Sequence, residues 1–139
     1  MFKNYDPGLV IVNIAGIPIA GYAEGTFVTA ERNVDAFTLS KGAAGDGTRT
    51  RSRDRSGTVT VTIKAESPTN DALSALATQD ELLGTGVGAL SITNLNSTTL
   101  VESPIAWIRK VSNLEHGDAA SNREWVFECD ELFMFVGGA

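Results

Sequence analysis

Two residue types that most small enzymes and metal proteins depend on are almost missing from this chain. It holds one cysteine, Cys129, and one histidine, His116, in 139 residues. A single thiol excludes an intramolecular disulfide framework and a cysteine-rich zinc site. A single imidazole leaves little room for general acid–base chemistry, and the turn-like surroundings Asn113-Leu114-Glu115-His116-Gly117-Asp118 suit a surface histidine better than a catalytic one. No Gly-x-Ser-x-Gly nucleophile elbow occurs. Basic charge is scarce as well: 11 Lys and Arg face 17 Asp and Glu, a formal net charge of −6. General nucleic-acid binding draws its affinity from neutralised phosphates, so this balance disfavours it. Nor is there a run of about 18 apolar residues of the kind a membrane-spanning helix needs.

What is present describes a folded chain. Hydrophobic residues make up 42% and charged residues 20%, a globular composition. The length fits one domain over residues 1–139. The apolar stretch Leu9–Ala20 has a superficial likeness to a signal peptide. However, Asp6 precedes it, Asn13 and Pro18 interrupt it, and its β-branched Val10, Ile11, Val12 and Ile14 favour a first strand. A reducing, cytosolic place of synthesis fits the lone thiol.

The dominant period is two. In Thr58–Lys64, Val59, Val61 and Ile63 share one face while Thr58, Thr60, Thr62 and Lys64 share the other, the pattern of a half-buried strand. Further strands are expected at Leu9–Ile14, Ile17–Ile19, Thr26–Glu31, Ala36–Ser40, Ala89–Thr93, Thr98–Glu102, Ala106–Asn113 and Glu124–Val136. One helix stands out. Ser67 is its expected N-cap, Pro68 its first position and Asp71 a first-turn acid; Leu73, Leu76 and Ala77 form its apolar stripe, and Gly84 and Gly86 end it. The expected fold is mainly β: an antiparallel β-sandwich or barrel with one flanking α-helix and a long hairpin loop.

That loop, Lys41–Arg55, differs from the rest. Five bases (Lys41, Arg49, Arg51, Arg53 and Arg55) and two acids (Asp46 and Asp54) give it +3, so the remainder carries −9. It holds three glycines and no large apolar residue, which keeps it out of any core. Loops beyond about 12–15 residues are usually functional or disordered. The clustered arginines favour an arm that orders against a partner over an idle hairpin tip.

Other constellations are weaker. Glu128, Asp130 and Glu131 are close in sequence, but without the loop spacing of a cation site. Gly84-Thr85-Gly86-Val87-Gly88 follows the helix, whereas a phosphate cradle precedes one. Asn96-Ser97-Thr98 matches a glycosylation acceptor only by composition. Cys129, beside Glu128 and Asp130, reads as a small core hydrophobe. Trp107 and Trp125 are expected in the core rather than on a sugar-binding surface. No catalytic, cofactor or metal residue is assigned and no cofactor is expected.

The run Arg53-Asp54-Arg55-Ser56-Gly57-Thr58-Val59-Thr60-Val61, continuing to Ser67-Pro68-Thr69-Asn70-Asp71-Ala72-Leu73, together with the order of strand, basic hairpin, alternating strand, short helix and aromatic C-terminal strand, resembles the tube-forming subunits of contractile bacteriophage tails. The resemblance implies hexameric rings stacked into a hollow tube through which DNA passes without specific binding. It implies sheath, baseplate and terminator proteins as partners, no membrane anchor, and a place in the virion tail. Inner-tube subunits of bacteriocins and type VI secretion systems share the same pattern. On this reading Lys41, Arg49, Arg51, Arg53 and Arg55 are candidate inter-subunit contacts, and Thr58, Thr60, Thr62 and Lys64 are candidates for the lumen face. A small β-sandwich binding module is the alternative from another class.

Overall fold

A computed structural model describes residues 2–138. The chain begins with a 3-10 turn over Pro7–Leu9 and continues as β1 (Val10–Ile14), β2 (Ile17–Pro18), β3 (Val28–Arg32), β4 (Phe37–Lys41), β5 (Gly47–Arg51) and β6 (Gly57–Lys64). After α1 (Thr69–Leu83) come β7 (Gly88–Asn94), β8 (Leu100–Lys110), β9 (Asn122–Cys129) and β10 (Phe133–Phe135). The fold is mainly β, antiparallel throughout, with one helix, as the alternation implies.

Eight strands form one sheet in the order β2-β1-β7-β8-β9-β6-β3, with β10 paired to β8; β4 and β5 form a separate two-stranded ribbon. The β1–β2 hairpin turns on Ala15 and Gly16, both at positive φ, the two-residue geometry that matches strand twist. The sheet curls back on itself. The segment after β2 meets the far side of the sheet, where Ala23 N–H donates to Thr62 O at 3.1 Å and Lys64 N–H to Gly21 O at 2.8 Å.

One core fills the curl. Val59, Val61 and Ile63 of β6 are fully buried beside Val12, Ile14, Leu90, Trp125, Phe127 and Leu132. Each such aliphatic side chain contributes about 1.5–3 kcal/mol on burial, so β6 alone supplies a large part of the driving force. Gly57 begins this inward row because nothing larger fits: a Cβ there would overlap the Leu132 side chain. The helix lays Leu73 and Ala77 on β8 and β2. The helix starts at Thr69, one residue later than expected: Pro68, not Ser67, is its N-cap and makes no side-chain cap bond, while the Ser67 hydroxyl accepts from Thr69 N–H at 3.3 Å and donates to Ala20 O at 2.7 Å, tying the start of α1 to the chain after β2. Gly84, at φ 67°, closes the other end with its N–H on Asp80 O at 2.8 Å.

Three further expectations need correction. First, Thr98–Glu102 and Ala106–Asn113 are not two strands. β8 runs continuously from Leu100 to Lys110, and Pro104 is absorbed by a bulge, since Gly88 faces Ala106 while Leu90 faces Ser103. A bulge is where a sheet tolerates a missing N–H. Second, Glu124–Val136 is not one strand. Trp125, Phe127 and Cys129 point inward, but the next buried residue is Leu132, three positions on, so the period of two breaks at Asp130-Glu131. The chain turns there, with Asp130 N–H on Ile105 O and Leu132 N–H on Arg55 O, and β10 pairs with the other half of β8. Third, Trp107 is not a core residue. It lies opposite Glu128 on the outer face, half-buried, while its neighbours Ala106 and Ile108 point in.

Candidate assembly surfaces

Two surfaces hold the residues singled out in the sequence. The first is the β4–β5 ribbon. Segment 41–55 is therefore not a plain loop: its first part is the turn and second strand of a ribbon whose first strand is Phe37–Lys41. The turn closes through Gly42 N–H to Asp46 O at 2.8 Å and Gly45 N–H to Gly42 O at 2.9 Å. Register pairs Phe37 with Arg51, Leu39 with Arg49 and Lys41 with Gly47, so one ribbon face displays Phe37, Leu39, Lys41, Arg49 and Arg51. The opposite face is Thr38, Ser40, Thr48 and Thr50. The Arg49 guanidinium lies 4.0 Å and that of Arg51 5.6 Å from the Phe37 ring centroid, a cation–π stack. Arg53 and Arg55 fall outside the ribbon, in the return to β6. There Asp54 accepts from Ser56 N–H at 2.9 Å, and the Ser56 side chain first, with this N–H second, holds its carboxyl below the usual range.

Every ribbon residue is exposed, Leu39 to 68%. Among the described residues none of the five basic side chains is in an ion pair; the one such contact links Arg109 and Glu128 at 3.9 Å. A lone two-stranded ribbon is marginal in water. Phe37 and Leu39 escaped the sequence reading because Ala36–Ser40 alternates like an ordinary sandwich strand. Nothing in that alternation says which strand lacks a sheet to cover it.

The second surface is the outer face of β3, β6, β9 and β8. Thr58, Thr60 and Thr62 lie on it, half-buried, opposite Glu128, Val126 and Glu124 of β9, with Lys64 exposed at the end. Thr29 and Glu31 flank them from β3. Glu31, Glu124 and Glu128 share this face with Lys64, Arg109 and Lys110, and Glu115 lies at its edge beside Thr62 and Lys110, so the face has no basic excess.

Other candidates resolve into structural roles. Cys129 is fully buried, and burial pushes its thiol up to about 11, with Glu128 adding to the rise and a Ser103 hydrogen bond opposing it. His116 is exposed between β8 and β9. Asn96 clamps the N-terminal segment: its Oδ1 accepts from Asp6 N–H at 3.0 Å and its Nδ2 donates to Asp6 O at 2.8 Å. Glu128 is held by Arg109, Asp130 and Glu131 sit at the β9–β10 corner, and no group of three metal-ligating side chains occurs among the described residues. No helix there is long and apolar enough to cross a membrane.

No family model and no curated protein sequence matches the chain. Solved structures do. The anti-feeding prophage cap, a tube-terminating cap, matches with TM-score 0.66 at 10% identity over 97% of this chain and 93% of that one. The sheath/tube terminator of the extracellular contractile injection system PVC matches with TM-score 0.66 at 12% identity over 97% and 99%. A chain of the PVC sheath–tube complex matches with TM-score 0.61 at 11% identity over 95% and 91%. The fold is one found in components of contractile injection particles. The likeness spans nearly the whole of each chain, so it is the overall fold that is shared, not one motif alone.

Proposed function

We propose that this chain is a structural subunit of a contractile tail or tail-like particle, acting as one domain that forms hexameric rings stacked into a hollow tube. The ribbon carries the reading. A solvent-exposed pair of strands with Phe37 and Leu39 on one face and unpaired Lys41, Arg49 and Arg51 beside them fits a contact with a neighbouring copy. The −9 carried by residues outside the basic segment supplies complementary charge. Threonines on an outer face with no basic excess suit a lumen wall over which DNA passes without being gripped. Sheath, baseplate and terminator proteins are the corresponding partners. The role is architectural and asks for no catalytic group or cofactor.

A second reading has its own support. Two of the three neighbours described are caps or terminators, at TM-score 0.66 against 0.61 for the chain of the sheath–tube complex. On that reading the subunit forms a single ring that ends a tube. Sedimentation and negative-stain microscopy of the purified protein across a concentration series test both. Tubes support the stacking subunit, isolated rings support the terminator, and a monomer at every concentration and salt overturns the assembly role.

A further inference from the structure

The bulge in β8 opens a recess that the fold leaves unfilled. At Ser103–Ile105 the strand leaves β10 as its partner and takes β9, and the corner Asp130–Leu132 spans the gap. The resulting cavity of about 460 Å³ has an apolar wall of Pro104, Leu132 and Phe133. Two exposed carboxylates, Glu102 and Glu131, stand beside it with Arg55. Neither carboxylate is in an ion pair among the described residues. The chemistry that complements such a recess is an apolar side chain flanked by a cation.

This chain displays that combination elsewhere. Leu39 is the most exposed apolar residue of the ribbon, and its cross-strand partner is Arg49, whose guanidinium is held in place over Phe37. We infer that the recess at the β8 bulge receives Leu39 of a second copy, with that copy's Arg49 and Lys41 against Glu102 and Glu131. The inference rests on the assembly reading and names the surface the ribbon meets. The ribbon of the same chain does not fill the recess: none of its residues lines it, and the ribbon root, Phe37 with Arg51, occupies a neighbouring cleft beside Arg55 and Glu131. Ribbon face and recess are different patches on one molecule, so the contact is head-to-tail, the kind that closes into rings or extends into filaments.

Charge exchange tests the pairing on the full chain. Glu102→Lys with Glu131→Lys and, separately, Arg49→Glu with Lys41→Glu change only exposed side chains. Each pair of substitutions is expected to raise the concentration for half-assembly by about tenfold or more, as interfacial charge pairs do. Combining all four should restore much of the loss. A second measurement is independent of folding energetics: Leu39→Cys and Ser91→Cys proteins, mixed and oxidised, should give a disulfide-linked heterodimer that neither gives alone. A cross-link formed instead within one chain carrying both cysteines would overturn the second-copy occupant. Assembly that proceeds as in the unmodified protein despite the recess substitutions, with no cross-link, would overturn this inference and leave the assembly role standing. A protein that never assembles overturns both.

Discussion

Trp125 Nε1 donates to Asn70 Oδ1 at 3.0 Å, joining the middle of β9 to the first turn of α1. Asn70 is thereby committed on both ends of its amide, because its Nδ2 is within reach of the carbonyls of Lys64, Ala65 and Ser67 at 3.0–3.2 Å. One side chain holds the exit from β6, the entry to the helix and the largest core aromatic in a common geometry. Asn70→Ala leaves the buried indole N–H without a partner, an expected loss of about 1–3 kcal/mol by denaturant unfolding. Asn70→Asp keeps the acceptor but gives up the amide donor, so it should recover part of that loss.

Gly57 is expected to be intolerant for a steric reason. A Cβ there meets Leu132 and lies 2.9 Å from Glu31 O, so both the core and the β3–β6 pairing resist it. Gly57→Val should cost about 1–3 kcal/mol as an overpacking substitution. A companion Leu132→Ala should relieve part of the cost, and thermal unfolding of the single and double variants measures the coupling.

Cys129 makes stability fall in alkali. Burial holds its folded thiol at about 11, against 9.0 for a thiol in the unfolded chain. Below pH 9 the thiol is protonated folded and unfolded, and its contribution is fully present. Between pH 9 and 11 the unfolded chain binds fewer protons than the folded one, so stability declines with rising pH, by about 3 kcal/mol in all. Cys129→Ala should flatten that limb of the pH–stability curve while lowering its plateau. In the folded protein the thiol should stay unreactive to a thiol reagent at pH 8.

The ribbon can be excised cleanly. Phe37 and Arg51 are register partners, so replacing Thr38–Thr50 with Asn-Gly reconnects them through a two-residue hairpin turn. No ribbon residue is buried. The shortened chain should therefore keep its far-UV circular dichroism and its melting temperature within a few degrees, yet fail to stack in the microscope. Normal tubes from it would make the ribbon dispensable.

Charge on the outer face should govern contact with DNA. The unmodified protein, assembled or not, is expected to show no measurable duplex binding at physiological salt by fluorescence anisotropy. Thr60→Lys with Thr62→Lys adds two phosphate contacts per subunit on that face, so binding should appear and weaken steeply as salt rises. Tight, salt-sensitive binding by the unmodified protein would instead give the basic ribbon a nucleic-acid role.

The sequence by itself determined the features that depend on neighbours along the chain. Alternation in Thr58–Lys64 sets which side chains face the core, because successive residues of a strand point to opposite sides. Ser67-Pro68 and Gly84 bound the helix, because capping is chemistry local to one turn. The scarcity of His and Cys argues against most active-site chemistries whatever the fold. Tertiary structure decided what depends on distant partners. Pro104 reads as a strand break but is a bulge, since the ladder of β7 carries β8 across it. Trp107 points outward, because that bulge sets the phase of the residues beyond it. Phe37 and Leu39 alternate like core residues but lie bare, because only strand pairing settles whether a hydrophobic face finds a sheet to cover it. The recess between Pro104 and Leu132 exists only where β8 exchanges one partner strand for another, and no local pattern records it.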